Sequence, residues 1–144
     1  DIVSFPFILQ YVRTFKDSDY VYVLTQYEQG LELFEVIRDI GLLQKYEAQF
    51  YTVSIILTVE YFHMNGIICR GIKPENFIVD LSGYTIFIDF AACKLLKDKN
   101  SKINRTFTIM GTPQYMAPEM FTGKGYNLNS DAWSIGIILY EFVC

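Results

Sequence analysis

Cys69-Arg70-Gly71-Ile72-Lys73-Pro74-Glu75-Asn76 is the stretch on which the reading of this chain turns. It is a polar loop between a long apolar helical pattern over residues 46–64 and two short strand patterns over 77–79 and 84–88. Asn65-Gly66 closes the helix, with glycine free to take the left-handed cap. Leu81-Ser82-Gly83 turns between the strands, and Asp89-Phe90-Ala91 stands at the end of the second, thirteen residues after Asn76. Further on come Gly111-Thr112-Pro113-Gln114-Tyr115-Met116, then Ala117-Pro118-Glu119, then Asp131-Ala132-Trp133-Ser134-Ile135-Gly136.

Outward from the loop, aromatic and β-branched residues over 9–15 and 20–25 flank Lys16-Asp17-Ser18-Asp19, which predicts a β-hairpin. Gly30 precedes a short helical pattern over 31–39 that stops at Gly41. Residues 94–106 are polar and basic and are expected to be mobile, with the Lys97 and Lys102 charges solvated. A second apolar helix is expected over 130–144, capped by Asn129 or Ser130 and with Asp131 in its dipole-favoured first turn. Both long helices carry more apolar surface than this chain can cover, and Ile135, Ile138, Leu139 and Phe142 are expected to be exposed. The order holds no βαβ alternation, so the fold class is α+β without a parallel sheet.

Composition narrows the function. Of 144 residues, 51% are hydrophobic and 17% aromatic, which is globular and apolar. The net charge is −4 with Lys and Arg scattered, which gives no nucleic-acid footprint. Glu60 and Glu141 interrupt the apolar runs, so neither supplies the ~20 residues of a membrane span. Cys69, Cys93 and Cys144 lack metal-site spacing and point to a reduced, intracellular (cytoplasmic) protein. With His63 the only histidine, the sequence does not favour a histidine-based metal site or triad.

One tripeptide of the D-F-x or A-P-E kind means little, but several motifs in order and at family spacing are specific. Together they resemble the protein kinase catalytic domain, whose motifs read H/Y-R-D-L-K-P-E-N, D-F-G, G-T-P-x-Y, A-P-E and D-x-W-S/A-L-G. The resemblance spans the whole chain. It implies a partial kinase fold over 1–144, with the closing hairpin of the N-lobe in 1–26, a hinge at 26–30 and a mostly helical C-lobe over 27–144 that reaches the central helix. Helices 46–64 and 130–144 should then pack together. Gly30-Leu31-Glu32-Leu33-Phe34, Gln49-Phe50-Tyr51, Tyr61-Phe62-His63 and Arg105-Thr106-Phe107-Thr108 are similar to the cyclic-nucleotide-dependent AGC group. Ile40-Gly41-Leu42-Leu43 and Gly123-Lys124-Gly125-Tyr126 resemble the cGMP-dependent kinases of protists.

The resemblance implies serine/threonine phosphorylation with ATP and Mg2+ as cofactors. Asp89 and Asn76 would be the metal ligands, both hard oxygen donors as magnesium requires. Lys73 would neutralise the γ-phosphate, and Thr25 would stand at the back of the adenine pocket, with Gln26, Glu28 and Ile78 also about the nucleotide. Glu32 would meet the ribose or a basic substrate residue, and Glu75 another basic residue, so the partner would be a protein with basic residues near its target Ser or Thr. Thr108 would be the activation-loop phosphosite, its phosphate paired with Arg70 and Lys94, and Thr112 a further loop residue. A cyclic-nucleotide-binding regulatory domain would act from upstream or in trans. His63 would bond structurally, to Asp131, and Cys69 and Cys93 would be core or pocket residues rather than nucleophiles. Plainer readings stand beside these: Asp80 and Asp89 as turn acids, and Arg105 to Thr108 as ordinary loop.

The chain departs from the pattern at three positions. Gly71 replaces the catalytic Asp, the general base. Ala91 replaces the glycine of D-F-G, and Cys69 replaces a ring, leaving a gap beside Phe90 for Tyr11 and Phe90 to bridge. The G-x-G-x-x-G loop and the V-A-I-K lysine are not in the sequence, nor is a basic partner for Glu119, which predicts a partial domain. Three readings follow: a kinase piece carrying a variant or sequence error at position 71, a nucleotide-binding pseudokinase that acts as scaffold or regulator, and a decayed relic.

Overall fold

The computed structural model describes residues 5–96 and 105–144; the lysines at 97 and 102 lie outside them. Strands β1 (Tyr11–Lys16) and β2 (Val21–Thr25) form the expected hairpin, pairing antiparallel with a register shift between Tyr11 and Arg13. Its turn is held by Asp17, whose Oδ1 accepts the N–H of Asp19 and Tyr20 and whose Oδ2 accepts the Tyr22 hydroxyl. These bonds to the ionised form hold the Asp17 carboxyl below its ordinary range. The strand starts later than residue 9 because Ile8 and Leu9 are recruited elsewhere: Ile8 bridges Phe87 and the Leu9 N–H donates to the Phe87 carbonyl.

Residues 30–32 correct the expected helix start. Gly30–Glu32 is strand β3, paired with β5 (Phe77–Asp80), which pairs in turn with β6 (Thr85–Phe87). Gly30 permits this contact, since a Cβ there would lie 2.1 Å from the Val79 carbonyl oxygen. Helix α1 follows over Leu33–Ile40. Helix α2 (Lys45–Met64) begins one residue early because Gln44 and Glu47 form a capping box, with the Gln44 N–H donating to Glu47 Oε2 at 2.7 Å. It ends as the sequence requires, with Gly66 at φ 72°.

Two further strands escape sequence reading. β4 (Ile67–Ile68) pairs antiparallel with β7 (Lys94–Leu95), so the start of the 94–106 stretch is ordered pairing rather than mobile loop. At the far end of that stretch Thr106 is buried and bridges Tyr126. Helix α3 runs over Asn129–Val143, and its N-cap is Leu128 rather than Asn129 or Ser130; Asn127 Oδ1 instead accepts the Asn129 N–H.

Helices α2 and α3 pack together as expected, with Ile55, Val59 and Phe62 joining Ile138 and Phe142 in one cluster. The expected exposed face of α3 is therefore corrected. Ile138 and Phe142 are core, at 1% and 0% exposed, because Phe142 sits under Leu43 and Tyr51. Leu139 is exposed as expected, and the rest of the open face of α3 is Trp133, Tyr140 and Val143. On α2, Phe50, Val53, Ile56 and Leu57 are exposed, and the hairpin exposes apolar residues on both faces. No helix of the described residues is long and apolar enough to cross a membrane.

That surface sets an expectation for the 144-residue chain on its own. It should aggregate, or remain loosely packed without a cooperative transition, since two-stranded hairpins and wide apolar patches are unstable in water. Size-exclusion chromatography with calorimetry checks this; a monomer with one sharp melting transition would contradict it.

Candidate active site

The loop after β4 turns through Arg70 at φ 59°, a left-handed conformation that a residue with a Cβ adopts at a cost. Asp131, in the first turn of α3 and 1% exposed, holds it there. Its Oδ2 accepts the Cys69 N–H and its Oδ1 the Arg70 N–H, both at 2.9 Å. The His63 Nε2 lies 2.8 Å from Oδ2, as expected for a structural histidine at the end of α2. One buried carboxylate thus ties α2, the loop and α3 together.

Arg70 reaches across to the segment after β6, its Nε donating to the Ala92 carbonyl at 2.6 Å, while its Nη1 is buried without a partner. Gly71 is buried, and its carbonyl accepts the Asn76 Nδ2 at 2.7 Å. That bond fixes the amide and leaves Asn76 Oδ1 as its acceptor face. The Ile88 N–H donates to the Asn76 carbonyl at 3.0 Å, which brings Asp89 in beside Asn76. Asp89 Oδ1 accepts the Ala91 N–H at 2.9 Å, so it makes a turn bond as well as presenting a carboxylate. Asp80 is a turn acid, its Oδ1 accepting the N–H of Ser82 and Tyr84.

No three His, Cys, Asp or Glu side chains cluster as a metal cage among the described residues. Magnesium does not need one: it takes one or two protein oxygens and completes its shell with water and phosphate. The donor set of Asn76 Oδ1 and the Asp89 carboxylate fits that ion.

The remaining predicted residues fall into separate groups. Arg70, Gly71, Lys73 and Thr112 line one narrow cleft under the loop. Glu32 lies opposite Ile78 across the β3–β5 pair. Gln26 donates its N–H to the Gln10 carbonyl at the end of the hairpin, and Glu28 is half-buried just beyond. Thr25 lines a cavity of about 510 Å3 with Tyr11, Phe90 and Cys93. This cavity is not the gap expected from Cys69, which is not on its wall: Cys69 is fully buried in the core, and Phe90 stacks edge-on against Phe62 and Phe87. Burial, then contact with the Cys93 thiol, pushes the Cys69 thiol well above its ordinary range, as suits a core residue. Thr108 is exposed, its carbonyl accepting the Tyr126 hydroxyl, and Lys94 Nζ bonds to the Thr106 hydroxyl at 3.1 Å.

The protein kinase domain family matches residues 2–144. The chain belongs to that family. Among curated proteins it is 48% identical over 139 residues to a cGMP-dependent protein kinase of Eimeria tenella and 49% identical to that of Plasmodium berghei (strain Anka). It is 40% identical over 138 residues to cGMP-dependent protein kinase 2 of Mus musculus. Each alignment covers 96% of this chain but only 13%, 16% and 18% of those relatives. The chain is part of a protein kinase domain and is similar to the cGMP-dependent protein kinases.

Two sets of contacts in the kinase site escaped sequence reading. Asp131 was legible as a motif residue, a first-turn acid and a partner for His63, but its bonds to the Cys69 and Arg70 N–H groups were not, because they lie more than sixty residues away. Glu141 was legible only as a charge interrupting an apolar helix. In the fold both its oxygens lie 2.9 Å from the Tyr115 hydroxyl, which donates to it. Burial holds the Glu141 carboxyl above its ordinary range, the Tyr115 bond pulls it back, and the Glu75 charge pushes it further up. Glu75 Oε2 is itself buried without a partner.

Asp131→Ala should destabilise the domain by about 2–5 kcal/mol, since it strands two buried N–H groups and a loop in a left-handed turn. Chemical denaturation of the full-length protein measures this, and a loss under ~1 kcal/mol would deny Asp131 the role. Glu141 adds a pH dependence. Its folded-state value is raised, so its contribution favours folding most below the ordinary carboxylate range and fades as pH rises through the raised value. Glu141→Gln keeps an acceptor for Tyr115 and should remove that slope. The variant's stability relative to the parent should therefore increase between about pH 4 and 7, and parallel curves would count against it.

Proposed function

We propose that this chain is the nucleotide-holding and substrate-reading part of a serine/threonine protein kinase whose phosphoryl transfer is slowed by Gly71. The observation that carries the reading is the Ile88 N–H bond to the Asn76 carbonyl, which places the backbone leading into Asp89 against that of Asn76, while the Asn76 side chain is tied to the Gly71 carbonyl. Kinases of this family use ATP with Mg2+. Asn76 and Asp89 would hold the metal, which would supply positive charge against the phosphates. Lys73, beside Thr112, lends its charge to the transferring phosphate. Thr25, Gln26, Glu28, Glu32 and Ile78 border the nucleotide.

The substrate read here is a protein with basic residues near its target Ser or Thr. Glu75 stands close enough to raise the Glu141 carboxyl, and Glu75 Oε2 has no donor among the described residues. Two under-neutralised carboxylates favour a guanidinium, which offers paired donors. Thr108 is the proposed phosphosite. A phosphate there adds nearly two negative charges and strong acceptors, which Arg70 Nη1 lacks and Lys94 is near enough to share. Because the chain is similar to cGMP-dependent protein kinases, regulation by cGMP through a region upstream or in trans is proposed for the whole protein.

Gly71 favours a second reading, a pseudokinase that binds Mg·ATP and serves as scaffold or regulator. Glycine carries no proton acceptor, and loss of a general base costs ~10²–10⁴-fold in rate. Position 71 is tight: a Cβ there would meet Asn76 Nδ2 at 3.3 Å and Ala92 Cβ at 3.4 Å, so a replacement asks its neighbours to give by a few tenths of an ångström. In the full-length protein Gly71→Asp should raise kcat at least ~10²-fold and leave Mg·ATP affinity nearly unchanged. Phosphotransfer to a basic peptide and nucleotide titration measure the two quantities. Normal activity with Gly71 would mean another group supplies the base. Failure to bind Mg·ATP would leave the decayed relic.

A further inference from the structure

The short β4–β7 ladder pairs Ile67 with Leu95 and Ile68 with Lys94. One step further along this antiparallel register, Cys69 falls opposite Cys93. The bonding pattern identifies the kind of pair. The Leu96 N–H donates to the Gly66 carbonyl, so the Gly66–Leu96 pair is hydrogen-bonded, and strict alternation makes Ile68–Lys94 the next bonded pair. Cys69 and Cys93 then form a non-hydrogen-bonded pair. Their own N–H groups agree, since Cys69 donates to Asp131 and Cys93 to the Phe90 carbonyl, both away from the opposite strand.

In such pairs the Cα atoms lie about 4.5 Å apart and the side chains face each other. A disulfide needs Cα atoms roughly 4.4–6.8 Å apart. Both thiols are free, and Cys93 packs against the cluster that contains Cys69. The two differ in access: Cys69 is fully buried, whereas Cys93 is half-buried and lines the large cavity.

We propose that Cys69 and Cys93 are an oxidisable dithiol, a modification site that closes to a cross-strand disulfide under a peroxide. Cys93, the reachable thiol, gives its sulfur lone pair to one peroxide oxygen; the O–O bond breaks, and sulfenic acid and one water result. The Cys69 sulfur then attacks the Cys93 sulfur, the S–O bond breaks, and a second water leaves with the Cys69 proton. The two thiols together lose two electrons and two hydrogens, and hydrogen peroxide is reduced to two waters. The bridge joins the residue before Arg70 to the segment that follows Asp89-Phe90-Ala91-Ala92, beside the existing bond from Arg70 Nε to the Ala92 carbonyl. Oxidation would thereby staple the loop to the metal-binding segment. In a reducing compartment such a bridge is transient, as sensing disulfides are.

The test uses the full-length protein exposed to hydrogen peroxide, denatured in acid, capped with N-ethylmaleimide and cut with trypsin. Cys69 and Cys93 then fall on separate peptides, residues 46–70 and 71–94, because the Lys73–Pro74 bond resists cleavage. The expected result is a joined species two hydrogens lighter than the sum of the two peptides. Dithiothreitol before capping should abolish it, Cys93→Ser should prevent it, and Cys144→Ser should leave it unchanged. Capping of both cysteines after peroxide overturns the proposal. So does sulfinic acid at Cys93 with Cys69 still capped, or a link from either cysteine to another thiol.

Discussion

The buried carboxylate of Asp131 is the constraint on which the rest of this structure depends. A charge in the interior is costly unless paired, and here the partners are two backbone N–H groups and an imidazole nitrogen. Those partners come from the loop and from the end of α2, while Asp131 itself belongs to α3. The same contact therefore fixes the mutual position of the two helices and holds Arg70 in a left-handed turn. Without it the loop would relax toward ordinary backbone geometry, and the carbonyl of Gly71 would lose its approach to Asn76.

Order passes outward from that point through backbone bonds rather than through apolar contact. Gly71 holds Asn76, Asn76 holds Ile88, and Ile88 delivers Asp89. Arg70 closes the circuit by bonding to Ala92 on the far side of Asp89. The Asn76 side chain and the backbone leading into Asp89 are thus held by hydrogen bonds that need no side chain at position 71.

Helix α3 serves the site at both ends. Its first turn supplies Asp131, and its last turn supplies Glu141, whose bond with Tyr115 anchors the segment after Gly111. Ser134, between them, donates its hydroxyl to the Tyr115 carbonyl at 2.8 Å. An apolar helix with an acid near each end acts as a ruler between the loop and the surface that carries Glu75. The apolar positions between, Ile138 and Phe142, pack against α2 and keep that ruler in place.

What the sequence by itself determined was the family and the elements with strong local signals. Motif order identified the kinase domain. Asn65-Gly66 closed α2, and Lys16-Asp17-Ser18-Asp19 turned the hairpin, because turn and cap chemistry is local. Tertiary structure alone decided the rest. Gly30–Glu32 became a strand because β5 lay alongside to bond it, although its pattern suited a helix. Lys94–Leu95 was ordered by Ile67–Ile68 rather than by its own polar composition. Which face of α3 is buried depended on the approach of α2 and Leu43, which an all-round apolar helix cannot specify. The roles of Asp131 and Glu141, and the opposition of Cys69 and Cys93, come from pairings of residues far apart in sequence. A carboxylate or a thiol carries no local mark of the partner that the fold will bring to it.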